Sequence, residues 1–360
     1  MAGKCFLMAG GGTGGHVMPL LAVAGQLRDR GHFPYFIGTH KGFEAKLVPQ
    51  RDFPIEYIDI GGYQGMGLLR KAKLAYQLPL SIARCLASIS KNKPIACFSL
   101  GGYAAAPPVL ASLLRNLPLV VMEPNAMPGL VNRWMGRSAQ KALLSFPQAA
   151  SYFPEKAVEI IGLPVRAEFF AINAKPREDH LTVLITGGSR GSQTLNRAVR
   201  EAWPLIRQNG LKIKLIHQCG KREEESLRRD FALTGIVGSV SAFIDDMPAA
   251  FAAADFVVSR AGAGTVGELA AAGRPALLVP FPFAADDHQA KNAQAVVDAG
   301  AGLMLRDAEM SGAKLFEILT GFHSHPGSLL SMASQSRALR KPGAAARAAD
   351  ILEEIAARNG

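Results

Sequence analysis

An apolar strand, a glycine turn and a helix open the chain, and the same three elements open again half-way along it. The first set is "KCFLMA" (4–9), "GGGTGG" (10–15) and "MPLLAVAGQLRDRG" (18–31), whose terminal glycine suits a C-cap. The second is "LTVLITGGSRGSQTLNRAVREAW" (181–203), where Gly187, Gly188 and Ser189 stand as Gly11, Gly12 and Thr13 do at the start. Strand-like runs follow each opening, at 33–38, 96–102 and 117–123 and then at 211–220, 254–262 and 274–282. Alternating strands and helices build a parallel sheet covered by helices. A chain that starts this design twice is therefore expected to be α/β, with two Rossmann-like parallel-sheet domains. Its 360 residues exceed one comfortable core, in agreement. Segment 162–179, with its prolines and polar end, reads as the linker. The domains are then 1–162 and 163–343, followed by a helix within 344–360 whose packing the sequence leaves open.

So much bare backbone before a helix suits an anion, because free N–H groups and the helix dipole both favour negative charge there. The spacing Gly10-x-Gly12-x-x-Gly15 formally matches the dinucleotide fingerprint. That fold places an acid about 20 residues beyond the glycines to hold a ribose, and here Thr39 and His40 occupy the position. No G-x-x-x-x-G-K-[ST] loop occurs, which excludes the common ATPase design. The glycines alone would also suit a tight turn that lets strand and helix pack closely.

The run "SRAGAGTVGELAAAGRPALLVPFPFAADDHQAKNA" (259–293) is more specific. It holds a third glycine loop, with Ala263, Gly264, Thr265, Val266 and Gly267 leading to Glu268 at a helix start. Thr265 and its neighbouring amides suit a phosphate, and the two oxygens of a carboxylate match the vicinal diol of a ribose. Glu268 as a dipole-paired surface charge is the plainer alternative. Downstream, Asp287, His288 and Gln289 lie on a proline-rich loop, with an amide suited to sugar hydroxyls.

These runs carry a resemblance. The stretch 259–293 resembles the nucleotide-sugar signature of two-domain GT-B glycosyltransferases. Together with "GGGTGGHVMP" (10–19), "SLGGYAAAPP" (99–108), "EPNAMPGLVN" (123–132), "GLPVR" (162–166), "GGSRGSQTLN" (187–196), "HQCG" (217–220) and "FIDDM" (243–247), it is similar to the MurG family. These peptidoglycan enzymes join N-acetylglucosamine from UDP-GlcNAc to undecaprenyl-pyrophosphoryl-N-acetylmuramoyl-pentapeptide. The resemblance implies a GT-B fold whose domains face across a cleft, the first for acceptor and membrane and the second for UDP-sugar. It implies that Ser189 and Thr265 contact the diphosphate, and that Glu268 holds the ribose. Arg166 and the backbone of Ile244 would hold the uracil, and Gln289 and Asn125 the transferred sugar. Thr13, Gly14 and Gly15 would line the cleft. The family's usual H-E-Q-N here reads Met122-Glu123-Pro124-Asn125, and its G-N-P-V-R has Leu163, so acceptor contacts are where this chain departs.

His16 follows the first glycine turn. A packed imidazole, a hydrogen-bond donor to the acceptor pyrophosphate, and a general base are all open to it. A reference pKa near 6.5 suits base work near neutrality. The implied reaction inverts the anomeric carbon to give a β-1,4 bond. No D-x-D metal motif occurs, so helix N-termini and hydroxyls are expected to take up the charge on departing UDP, with no cofactor and no metal.

Lys+Arg number 40 against 29 Asp+Glu, a net charge of +11 that favours polyanionic partners. Zinc-finger and aromatic RNA-binding motifs are lacking, so nucleic acid is not expected. The segment "GMGLLRKAKLAYQLPLSIARCLASISK" (65–91) sets Leu68, Leu69, Leu74, Tyr76, Leu78 and Ile82 among Arg70, Lys71, Lys73 and Arg84. Such a stretch suits an anionic membrane surface, although a buried helix with a basic outer face fits the same pattern. Four scattered cysteines argue against disulfides. No signal peptide and no spanning segment are read, so the expected place is the cytoplasmic side of a membrane, peripherally. Rival expectations are another lipid-directed GT-B transferase, a non-catalytic nucleotide-sugar binder, or a UDP-GlcNAc 2-epimerase sharing the architecture.

Overall fold

The computed structural model describes residues 3–12, 14–61, 68–174, 178–188 and 190–358, with side chains of 68–74 left out. Thr13 and Ser189 lie outside the described residues, as do 65–67 of the basic segment. The chain forms two compact units, Met1–Val165 with Gly343–Gly360, and Arg166–Pro342.

In the first unit the strands are β1 (Cys5–Gly10), β2 (Phe33–Thr39), β3 (Ile55–Ile58), β4 (Ala96–Gly101), β5 (Leu119–Glu123), β6 (Lys141–Leu144) and β7 (Val158–Ile160). They pair in the order β3-β2-β1-β4-β5-β6-β7, every neighbour parallel. All five residues of β5 and all six of β4 are buried, the mark of strands covered on both faces. The order reverses between β1 and β4, and ligands of such sheets bind beyond the strand carboxyl ends at that point. One core cluster joins Leu7, Ile37, Val121 and Leu144 to Cys85 and Ile89 of the helix Leu68–Asn92.

The helix predicted at 18–31 runs instead over Gly14–Asp29 and takes Gly14 and Gly15 into its first turn. Pro19 is therefore inside the helix and gives Gly15 no i→i−4 bond.

The terminal helix Ala344–Arg358 packs on Gly14–Asp29 in the first unit. Ala344, Ala348, Ile351, Leu352 and Ile355 form its buried stripe at helical spacing. Arg30 meets Asp350 and Glu353 at 2.7 Å each, His32 Nε2 meets Glu353 at 2.8 Å, and Arg347 meets Glu159 at 2.7 Å.

The second unit holds β8 (Leu181–Thr186), β9 (Ile213–Gln218), β10 (Val237–Ser241), β11 (Phe256–Ser259), β12 (Ala276–Leu278) and β13 (Gly302–Met304). Their order, β10-β9-β8-β11-β12-β13, again reverses beside its first strand, and all pairs are parallel. Part of the expected linker belongs to this unit. Phe169 is fully buried, and Arg337 and Arg340 donate to the carbonyls of Ile172 and Phe170. The four cysteines are free thiols. Among the described residues, no helix is long and apolar enough to cross a membrane.

Candidate functional site

Strands β8 and β11 are neighbours, so the loops leaving their carboxyl ends lie side by side. In the loop after β8, a Cβ on Gly187 would stand 2.3 Å from Ser192 N, and one on Gly191 would stand 2.0 Å from Cys219 O. Those two glycines let the backbone close on itself. Gly188 has open space around it and a φ of +80°, which favours glycine for conformation. Gln218, at the end of β9, donates from Nε2 to Gly188 O at 2.8 Å and accepts from Ile244 N–H at 3.3 Å. It thus ties the turn to the segment predicted to hold a base. The Ile244 N–H is committed to that bond.

Asn196 supports this edge from below, donating to Cys219 O at 3.0 Å and to Glu223 at 2.7 Å. Its remaining oxygen must accept, so His217 Nε2, 3.0 Å away, carries the proton. Burial pushes the His217 pKa down to about 4 and holds the ring neutral.

The helix Ala263–Ala272 follows β11 with Gly262 as its N-cap. Ala263, Gly264, Thr265, Val266, Gly267 and Glu268 make its first two turns, where the leading amides have no helical acceptor. A Cβ on Gly262 or Gly264 would meet nothing within 4 Å, and neither needs a positive φ. Packing does not require glycine at these two positions, and bare backbone there admits another molecule closely. Val266 is only 4% exposed, its side chain packs in the core, and its N–H donates to Gly262 O at 3.0 Å, so the unspent amides are those ahead of it.

Glu268 is half-buried. Burial pushes its carboxyl up to about 7, against the opposing pull of the Arg166 charge. Arg166 is exposed, caps the short helix Ala167–Phe170, and lies 5.1 Å from the centre of the Phe169 ring. Two residues a hundred positions apart in sequence are thereby neighbours.

On the expectation that Glu268 accepts from a ribose diol in its ionised form, UDP-GlcNAc affinity should rise with pH across this range. Between pH 6 and 8 the rise expected for a pKa near 7 is about tenfold. Calorimetric titration at both pH values checks this, and Glu268→Gln should flatten the dependence. For folding the sign is opposite. A raised carboxyl pKa makes the native state lose stability as pH climbs from the unfolded value of 4.5 to about 7.

His288 and Gln289, expected on a loop, instead open the helix His288–Asp298, and Gln289 accepts from Phe281 N–H at 2.9 Å, a bond that leaves its amide nitrogen unspent. Asn292, one turn on, donates to Ala261 O at 3.1 Å and moors this helix to the loop before Gly262. His288 Nδ1 lies 2.7 Å from Ala285 O, and Asp287 lies 3.0 Å from Arg306.

In the first unit the glycines divide differently. A Cβ on Gly10 would stand 2.6 Å from Leu20, and one on Gly12 would stand 2.7 Å from Tyr103, so packing demands both. Gly14, Gly15 and His16 form the first turn of the helix after β1. His16 lies beside the loop after β4, its Nδ1 3.7 Å from where a Cβ on Gly102 would stand.

Asn125 follows β5 and donates from both N and Nδ2 to Glu123, at 2.9 and 3.1 Å. Glu123 also accepts from Gly129 N at 3.2 Å and Asn132 Nδ2 at 2.9 Å. Burial pushes its carboxyl up to about 7 despite these donors. The side chains of Met122 and Leu163, two of the departures from the resembled pattern, are buried. Glu123, Asn132, Asn196, Gln218 and Asn292 escaped sequence reasoning as site residues, although all five lie in motifs that carried the resemblance. Among the described residues, no group of three or more His, Cys, Asp or Glu is arranged to hold a metal ion.

Residues 6–144 match the glycosyltransferase family 28 N-terminal domain, and residues 182–355 match its C-terminal domain. A protein of Solibacter usitatus is 54% identical over 98% of this chain and 96% of its own length. It is named UDP-N-acetylglucosamine--N-acetylmuramyl-(pentapeptide) pyrophosphoryl-undecaprenol N-acetylglucosamine transferase. A Cupriavidus metallidurans protein of the same name is 40% identical over 100% of both chains. Among solved structures, MurG of Acinetobacter baumannii is 31% identical, with a TM-score of 0.80 over 98% of this chain and 99% of its own. The kitacinnamycin glycosyltransferase, 17% identical with a TM-score of 0.71 over 99% of each chain, shares the fold.

Proposed function

We infer the activity of this chain from its family: it belongs to glycosyltransferase family 28, among the MurG transferases of GT-B fold. It is a UDP-GlcNAc-dependent hexosyltransferase that moves N-acetylglucosamine onto the 4-hydroxyl of undecaprenyl-pyrophosphoryl-N-acetylmuramoyl-pentapeptide, the peptidoglycan step that makes lipid II. The observation that carries the site is Glu268 beside Arg166, next to a helix N-terminus whose Gly262 and Gly264 are free of packing duty.

In this reading Glu268 accepts from the ribose hydroxyls, and Arg166 with the Ile244 backbone holds the uracil. Ser189, Thr265 and the free amides of Ala263 and Gly264 face the diphosphate, with Val266 and Gly267 forming the turn behind them, while Gln289 and Asn125 orient the transferred sugar. Thr13, Gly14 and Gly15 face the acceptor side. The acceptor oxygen bonds to the anomeric carbon as the bond from that carbon to UDP breaks. Configuration inverts from α to β, the hydroxyl proton passes to His16, and the electron pair leaves with UDP. Amides at the start of Ala263–Ala272 stabilise that charge, since preorganised donors need no reorganisation during reaction.

The deciding experiment measures UDP released from UDP-GlcNAc with and without the lipid-linked muramoyl acceptor. Release that requires the acceptor and yields a β-linked disaccharide supports the assignment. Acceptor-independent release points to epimerase chemistry, and no release at all points to a binding protein.

The acceptor is a lipid, and the chain is expected at the cytoplasmic face of an anionic membrane without crossing it. The helix Leu68–Asn92 supports this reading with Tyr76 72% and Leu80 48% exposed. Arg70, Lys71 and Lys73 begin the same helix. At about 1 kcal/mol per basic residue near such a surface, reversing all three charges should cut co-sedimentation with anionic vesicles at least tenfold at low salt. Unchanged pelleting would discard the membrane role of this helix.

A further inference from the structure

Glu44 opens the short helix Glu44–Leu47 and is 0% exposed. Its Oε1 accepts from the Thr39 N–H at 2.9 Å and from the Thr39 hydroxyl at 2.8 Å. Its Oε2 accepts from the Gly12 N–H at 2.8 Å. Thr39 ends β2 and Gly12 follows β1, so one carboxylate fastens the ends of two adjacent strands. Three glycines make the room it fills. A Cβ on Gly11 would stand 2.4 Å from Glu44 Cδ, one on Gly38 would stand 2.6 Å from its Cγ, and one on Gly42 would stand 2.0 Å from its Oε2. Dinucleotide folds use an acid near this strand end to hold a ribose. Here the acid points inward and holds protein backbone instead.

Gly12, whose amide Glu44 fixes at a φ of +85°, lies two residues before the helix that carries His16 in its first turn. We propose that Glu44 is a positioning residue for the transfer reaction. By fixing the Gly12 amide against the end of β2, it sets where the helix Gly14–Asp29 begins, and with it the reach of the His16 imidazole toward the acceptor hydroxyl. A group that needs only burial could be apolar, whereas desolvating a carboxylate is costly unless its donors are placed for it. Here three donors are so placed, one of them on the glycine turn itself.

The inference rests on the reading of His16 as the base, and wild-type transfer to the lipid-linked acceptor tests that activity separately. The variant is Glu44→Gln, which keeps size but sets an NH2 donor against backbone N–H groups. Turnover number and KM for UDP-GlcNAc are measured at saturating acceptor, with UDP-GlcNAc affinity by calorimetry and melting temperature alongside. The expected result is a kcat at least tenfold lower, with KM and donor affinity within threefold of wild type. A kcat within twofold of wild type overturns the proposal, as does a parallel loss of kcat and donor affinity. Should Glu44→Gln not fold, Thr39→Val removes one donor and leaves the carboxylate. It should lower kcat two- to fivefold at unchanged donor affinity, and an unchanged kcat there overturns the proposal equally.

Discussion

Replacing His16 with alanine is expected to lower kcat by about 100- to 10,000-fold, the usual contribution of a positioned acid–base group. UDP-GlcNAc affinity should stay within about threefold, because the donor groups named above, Asn125 apart, belong to the second unit. Transfer of labelled sugar gives the rate and calorimetry gives the affinity. The competing role, a hydrogen bond to the acceptor pyrophosphate, predicts another pattern: KM for the lipid-linked acceptor rises while kcat at saturation is kept. His16→Gln sharpens the choice, because glutamine can donate a hydrogen bond but cannot take a proton. A variant with near-normal kcat would remove His16 from the chemistry.

Ending the chain at Pro342 is expected to leave the first unit unfolded. The removed helix buries Ile351 and Leu352 completely and Ile355 to 5% exposure, besides four polar ties through Arg30, His32 and Arg347. Losing one large aliphatic side chain from a core costs about 2–5 kcal/mol. Three together reach the whole stability of a typical domain, about 5–15 kcal/mol. The truncated protein should lose the cooperative unfolding of one unit in urea. The single change Leu352→Ala should lower that unit's stability by about 2–5 kcal/mol without abolishing it. A full-strength transition after truncation would show that this helix is dispensable.

What could be read in the sequence divides by range. Strands 4–9 and 33–38 were legible because continuous apolar runs bounded by turns report local pattern. Glu268 was legible through its place at a helix start after a glycine loop. Its nearness to Arg166 was not, since neither residue carries any trace of the other. Gln218 and Asn196 bind backbone atoms brought close only by the strand order, so no spacing along the chain announces them. The helix that starts at Gly14 shows the limit of propensity. Each glycine inside a helix costs about 1 kcal/mol against alanine, which favoured a start at Met18, yet packing with Leu20, Val23 and Leu27 in the core carries the helix further back. The terminal helix displayed its apolar stripe plainly, but a stripe does not say which surface receives it.

Because the last turns of the chain complete a sheet whose strands lie at its beginning, order of synthesis and order of assembly run opposite ways. On the ribosome the unit Arg166–Pro342 is contiguous and has all its residues before translation stops. The unit made first waits for the residues made last. A stop codon ahead of Ala344 therefore strikes the N-terminal unit, and nascent chains carry an unsealed first sheet until that helix has been made.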